Sequence, residues 1–107
     1  MPIKVEEFVI GYGLKPVFVR SGDIVTVNYW GNFGSNPSNN QMHERIPVGW
    51  RPKVNSVINF HQVNGNGGGI FYVDNGGGLT LRVHDVTTQT SIGVTGCWVT
   101  GDVFPES

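Results

Sequence analysis

The sequence predicts an all-β domain, a small antiparallel β-barrel or sandwich of about seven to eight strands. Its 107 residues include no alanine and only three leucines, the residues that most favour helices. Short runs rich in Val, Ile, Phe, Tyr and Thr recur at close spacing, separated by turns built from many of its 16 glycines. Since no helical stretch is long enough to connect parallel strands, we expect the strands to be antiparallel.

The first predicted strands lie in PVFVRSGDIVTVNYW, which has the pattern of a hairpin turning at residues 21–23. In its second strand, Val25, Val27 and Tyr29 alternate on one face, and Trp30 lies on the other. We expect one domain over residues 16–107, preceded by a leading segment or linker at residues 1–15.

A polar loop is predicted at residues 31–41, and Pro47 and Pro52 exclude a helix in the following RIPVGWRP. Residues 54–63 form the next predicted strand. NGGGIFYV and NGGGLTLR then repeat nine residues apart, and each is a turn that leads into a strand. The two strands form a meander joined at residues 74–76, with Leu79, Leu81 and Val83 facing inward. The last predicted strands, at about residues 90–94 and 96–103, are joined by a tight turn.

Composition and charge exclude several classes of protein. A hydrophobic content of 38% with 11% aromatic residues is too high for intrinsic disorder. A net charge of −1, without a cluster of Lys or Arg, disfavours nucleic acid and anionic membranes as partners. Because no apolar run has the length of a membrane span or the form of a signal peptide, we expect no membrane insertion. Synthesis in a cytoplasm is expected, unless the chain is a fragment whose export signal lies elsewhere.

The single cysteine, Cys97, cannot form an internal disulfide. It lies beside Trp98 in an apolar segment, and free cysteines are among the most buried residues, so we expect it in the core. A nucleophilic role would require a base that the sequence does not identify.

Known catalytic motifs fail at particular positions. His43 and Glu44 open a HExxH zinc motif, but Pro47 occupies the place of the second histidine. The glycine runs lack the Lys and Ser/Thr of a phosphate-binding loop, and they lack the aspartates of calcium-binding nonapeptide repeats. His61 or His84 with an aspartate could form a metal or acid–base site, but their spacing favours solvated surface histidines. We therefore predict no catalytic residue, metal ligand or cofactor, and no enzymatic activity.

Aromatic and polar residues are interleaved in a way that suits saccharides, which present apolar C–H faces and many hydroxyl groups. We expect core positions for Phe18, Phe60, Phe71 and Trp98. Trp30 lies at the end of a strand beside the long polar loop. At this position the sequence does not decide whether its side chain is buried or exposed. The candidate saccharide-binding residues are Trp30, Asn32, His61, Asn64, Tyr72, Asp74, Arg82, His84 and Asp85.

RIPVGWRP resembles the lPxGyRP signature in C-terminal domains of phage tail and baseplate proteins. In that family the signature follows a strand pair such as RSGDIVTVNYWG and precedes a strand–turn–strand unit, and the resemblance spans about residues 11–99. Trp50 replaces the family's usual tyrosine. We expect the PVGWRP element to be structural, with prolines that fix a bend, a positive φ at Gly49 and an anchoring Arg51.

The resemblance implies the head domain of a tail-fibre or baseplate receptor-binding protein, of the type found in phages of Gram-positive bacteria. Such heads are usually homotrimers at the tail tip of the virion. They bind host cell-wall or surface polysaccharide without cleaving it, and they contact other tail or baseplate proteins. Two alternatives remain: a structural assembly module that binds no saccharide, and a depolymerase, which would need Asp74 and Asp85 paired across a cleft.

Overall fold

A computed structural model describes residues 2–105 as an all-β domain, which confirms the predicted fold class. The eight antiparallel strands are β1 (Ile3–Glu7), β2 (Val17–Ser21), β3 (Ile24–Gly31), β4 (Asn40–Arg45), β5 (Ser56–Gln62), β6 (Gly68–Val73), β7 (Gly78–His84) and β8 (Ile92–Val99). They form one sheet in the order β1-β2-β3-β8-β5-β6-β7-β4, curled into a half-barrel. No helix within these residues is long and apolar enough to cross a membrane.

The concave side of the curled sheet encloses the core. Two groups of aromatic rings fill it, and the contacts within them are mostly edge to face. Phe18 contacts Trp50 and Trp98 with both ring centroids at 6.3 Å, and Phe33 lies 5.4 Å from Phe60. Edge-to-face pairs of this kind add to the stabilisation from burial. The core positions predicted for Phe18, Phe60, Phe71 and Trp98 are confirmed.

The two predicted hairpins are present. A turn at residues 22–23 joins β2 to β3, with Gly22 at a φ of 58°, a conformation that glycine adopts without strain. A turn at residues 74–77 joins β6 to β7, where Gly77 has a φ of 86°. The predicted inward residues Leu79 and Leu81 are fully buried.

Strands β4 and β8 differ from the prediction. β4 begins inside the predicted loop, and Met42 is its only buried side chain, so the sequence lacks an alternating pattern there. β8 is one continuous strand, so the predicted turn near Gly96 is wrong. A Cβ at Gly96 would lie 3.2 Å from Ile58 Cγ1, and the glycine thus permits a close approach of β5.

The segment before Pro16 packs with the sheet. Residues 3–7 of this segment form β1, which pairs with β2 along its whole length. Ile10 and Leu14 are fully buried in the core, and Ile10 N–H donates to the Leu14 carbonyl at 2.9 Å. The predicted leading segment therefore supplies both an edge strand and core side chains.

Cys97 is exposed, so the prediction that it is buried is wrong. Its neighbour Trp98 is 5% exposed. Side chains alternate along β8, and the inward position of Trp98 places Cys97 on the convex face.

Arg20 is the largest fully buried side chain, and its guanidinium joins three segments. Nε donates to the carbonyl of Gly22 at 2.8 Å. Nη1 donates to the carbonyls of Gly49 (2.6 Å) and Val103 (3.2 Å), and Nη2 donates to that of Asp102 (2.7 Å). These bonds hold the β2–β3 turn, the PVGWRP bend and residues 102–103 together.

The PVGWRP bend has the structural character expected of it. Gly49 has a φ of 105°. Asp102 Oδ2 accepts the N–H groups of Gly49 (2.9 Å) and Arg51 (3.2 Å), while Trp98 Nε1 donates to the Trp50 carbonyl at 2.9 Å. Arg51 Nε donates to a carbonyl within the chain, as expected of an anchor. The bend is therefore fixed from both sides, by the half-buried Asp102 carboxylate and by the buried Trp98 indole.

Replacing Arg20 with methionine should lower the free energy of unfolding by about 3 kcal/mol, because four carbonyls lose a donor and the Gly49 carbonyl among them is in a buried hydrogen bond. Urea unfolding would measure the change. Arg45→Met is the matched control: Arg45 is exposed and donates to the Gly76 carbonyl at 2.6 Å, and its loss should cost less than about 1 kcal/mol. Equal effects of the two substitutions would contradict the assigned role of Arg20.

Candidate functional site

A row of residues crosses the convex face of five neighbouring strands. The strand registers place Trp30 opposite Gly93, Gly93 opposite His61, His61 opposite Gly68, and Gly68 opposite His84. Both histidines are exposed. The fold thus aligns three of the predicted saccharide-binding residues, Trp30, His61 and His84, although they are far apart in sequence.

Trp30 projects into solvent with 75% of its surface exposed, which decides the position that its sequence pattern left open. Its cross-strand neighbour Gly93 has no side chain, and a Cβ built there would have no heavy atom within 4 Å. An open slot therefore lies beside the indole. His61 is on the far side of this slot, two strand spacings or about 10 Å from Trp30 along the sheet.

Trp30 separates two shallow cavities. The first has a volume of about 370 Å³, and amide and hydroxyl groups line most of it. The second has a volume of about 520 Å³ and includes Gly93 and more apolar groups. Both volumes lie within the usual range of small-molecule sites. The first is lined by Trp30, Gln62, Val63, Asn64, Gln89, Thr90 and Ser91, and the second by Val17, Asn28, Tyr29, Trp30, Gly93, Val94 and Thr95.

Hydrogen bonds to backbone carbonyls orient the two histidines. His61 Nδ1 donates to the Gln62 carbonyl at 2.7 Å. His84 Nε2 donates to the Asn66 carbonyl at 3.0 Å. Each imidazole is therefore held in a defined orientation.

Two predicted asparagines lie near the row and differ in role. Asn64 lines the first cavity together with Trp30. Asn32 Nδ2 donates to the Thr88 carbonyl at 2.8 Å and so ties the loop after β3 to the loop before β8. Asn32 thus positions a wall of the site, since the loop before β8 also contributes Gln89 to the cavity.

Tyr72 and Asp74 lie away from the Trp30 slot. They line a separate cavity of about 190 Å³ at the opposite end of β6 from Gly68. Asp74 Oδ1 accepts the N–H groups of Gly76 and Gly78, both at 2.9 Å. The Asp74 carboxylate therefore closes the β6–β7 turn. Arg82 lies two residues before His84 on β7 and is exposed, and its Nη1 donates to a neighbouring carbonyl.

Asp85 follows β7 directly and has a φ of 54°, whereas Asp74 precedes that strand. The length of β7 separates the two carboxylates by roughly 20 Å. Paired glycosidase carboxylates lie within about 10 Å of each other, so Asp74 and Asp85 do not form such a pair. Residues 2–105 also contain no group of three His, Cys, Asp or Glu side chains that could hold a metal ion.

Several residues of the site escaped sequence analysis. Gly93 lies within a strand, and its role as the floor of the slot follows from the register alone. Gln89, Thr90 and Ser91 belong to a polar TTQTS run. Thr90 and Ser91 were predicted to begin a strand, but β8 begins at Ile92 and they lie in the loop before it. Polar runs of this kind carry no signal that tells a cavity wall from a solvated turn.

No protein-family model matches the chain, and no curated protein matches it. The likeness to phage tail proteins therefore stays a prediction based on the residues themselves.

The turn role of Asp74 leads to a test. Asp74→Ala removes the acceptor of two backbone N–H groups and should lower the free energy of unfolding by about 1–2 kcal/mol. Asp74→Asn keeps an oxygen at that position and should cost less. Thermal or urea unfolding of both variants measures the difference, and an alanine variant as stable as the wild type would contradict the turn role.

Proposed function

We propose that this protein is a non-enzymatic receptor-binding domain of a phage tail fibre or baseplate, which attaches the virion to a saccharide of the host cell surface. The observation that carries the proposal is the exposed Trp30 indole beside the open slot at Gly93. On this proposal the protein acts outside the cell, at the tip of the tail.

The chemistry of the site suits a sugar ring. The exposed face of an indole can stack on the apolar C–H face of a pyranose. Asn64 and Gln62 line the adjoining cavity. The Asn64 amide can donate to and accept from hydroxyls, whereas Gln62 Oε1 already accepts the Gly67 N–H at 3.0 Å, so Gln62 offers its NH2 group as a donor. The net charge of −1 fits a neutral glycan better than a polyanion.

The rigidity of the site supports recognition of a fixed shape. Trp30 and His61 lie on strands at the centre of the sheet, and each strand is paired on both sides. Binding to a site built on paired strands avoids the entropic cost of ordering mobile loops. Affinity at one site is expected to be modest, and several copies on one virion would raise the avidity.

An assembly module is the second candidate function. It is favoured by aliphatic side chains on the same convex face, among them Ile24 and Val99, which are 41% and 51% exposed. In that case a neighbouring tail protein would cover the convex face, Trp30 included. Saccharide binding by the isolated protein distinguishes the two functions, since only a receptor-binding domain should show it.

Trp30→Ala should weaken binding to the target glycan at least about tenfold, because the stacking surface is lost. An array of bacterial wall polysaccharides would identify the glycan, and titration would measure its affinity. Trp30→Phe keeps an aromatic face and should lose less. Val54→Ala, which removes another exposed apolar side chain, is the control and should leave binding unchanged. No binding by the wild type to any wall polysaccharide would contradict the proposal.

Gly93→Val gives a sharper test, because it fills the slot without disturbing the fold. A Cβ at Gly93 has open space around it, and valine favours strands, so stability should be kept or raised. Binding should nevertheless fall at least about tenfold, since the side chain stands between Trp30 and His61. Unchanged affinity in a stable Gly93→Val protein would exclude the slot as the binding site.

A further inference from the structure

Strand β1 is one of the two edges of the sheet, and its ladder with β2 is regular from Ile3 to Glu7. The other edge, β4, differs because its register with β7 shifts between Gln41 and Arg45. A bulge of this kind hinders further pairing, whereas a regular edge presents a continuous row of N–H and C=O groups. The backbone of β1 is therefore the one that can accept another strand, and its three charged side chains restrict that strand to one with complementary charges.

Hydrogen bonds at the two ends of β1 show which backbone groups point outward. The carbonyl of Pro2 and the N–H of Phe8 both bond toward the β2 side, at 3.1 and 3.4 Å. Inward and outward groups alternate along an antiparallel strand, so the even-numbered residues between them also face β2. The N–H and C=O groups of Ile3, Val5 and Glu7 consequently point away from the sheet.

These outward groups are complementary to themselves. A two-fold axis at Val5 sets Val5 opposite its own equivalent and Ile3 opposite Glu7 of a second copy, in pairs that exchange about six backbone hydrogen bonds. Lys4 of each copy then lies opposite Glu6 of the other, in a non-hydrogen-bonded pair where side chains approach most closely. Lys4 Nζ already lies 3.9 Å from Glu6 Oε1 within one chain. The register therefore matches both backbone groups and charges.

The side chains of β1 also favour a covered edge. Ile3 and Val5 are 65% and 57% exposed and lie on the convex face. In the two-fold arrangement the two Val5 side chains become cross-strand neighbours, and apolar pairs of this kind stabilise a sheet.

We propose that a second copy of this chain docks on β1, antiparallel and centred on Val5, and joins the two eight-stranded sheets into one. The two-fold axis is perpendicular to the sheet, so the convex faces of both copies lie on the same side. Trp30 of each copy then faces the same surface. The dimer itself does not depend on saccharide binding.

Sedimentation equilibrium over a range of protein concentrations tests the dimer. The expected result is a reversible association with a limiting mass of about twice 11.7 kDa. A monomer at every concentration would overturn the proposal. A limiting mass of three copies would also overturn it, and would support the homotrimer that the family resemblance implies.

Charge variants at Val5 test the register. Val5→Lys and Val5→Glu each place like charges opposite each other at the two-fold axis, and should raise the dimer dissociation constant at least about tenfold. An equimolar mixture of the two should recover a 1:1 dimer. Val54→Lys alters an exposed valine far from β1 in the sheet and should dimerise like the wild type. Near-UV circular dichroism checks that each variant is folded. Val5 variants that dimerise as strongly as the wild type, or a mixture that does not recover, would overturn this interface.

Discussion

The buried guanidinium of Arg20 is the interaction on which the rest of the structure depends. A single charged group, 2% exposed, bonds to carbonyls of the β2–β3 turn, the PVGWRP bend and the segment at residues 102–103. Burial of a charge is costly unless all its donors are satisfied, so these segments are required to converge on it. Asp102 completes the junction by accepting two N–H groups of the bend.

This junction lies on the inner face of the sheet, opposite the convex face that carries the candidate site. Trp50 is held in the core by its bend, and its carbonyl receives Trp98 Nε1 from β8. β8 also pairs with β3 and β5, the strands that carry Trp30 and His61. The candidate site is therefore positioned by central strands whose inner faces are fixed by the core. Edge strand β1 lies on the opposite side of β2 from β3, at one end of the strand order formed by residues 2–105.

Much of the fold was predictable wherever one face of a strand is buried and the other is solvated. Leu79 and Leu81 alternate with polar neighbours, and their strand was predicted with the correct inward face. The alternation of Val25 and Val27 was predicted as well, and the structure shows that theirs is the buried face of β3. β4 gave no such signal, since it buries only Met42. Gly96 indicated a turn but instead permits the close approach of β5. Cys97 was expected to be buried because free cysteines usually are. Side chains alternate between the two faces of β8, however, and the buried Trp98 places its neighbour Cys97 on the exposed face.

By itself the sequence determined the fold class, the two tight hairpins and the structural character of PVGWRP, because these depend on local properties: strand alternation, and backbone angles that glycine and proline permit or impose. Its composition also selected the residue types of the candidate site. Only the tertiary structure decided which of them meet, since Trp30, Gly93 and His61 become neighbours through a register set by distant strands. The same holds for Arg20, whose partners lie up to 83 residues away. Contacts between distant segments leave no local pattern in a sequence.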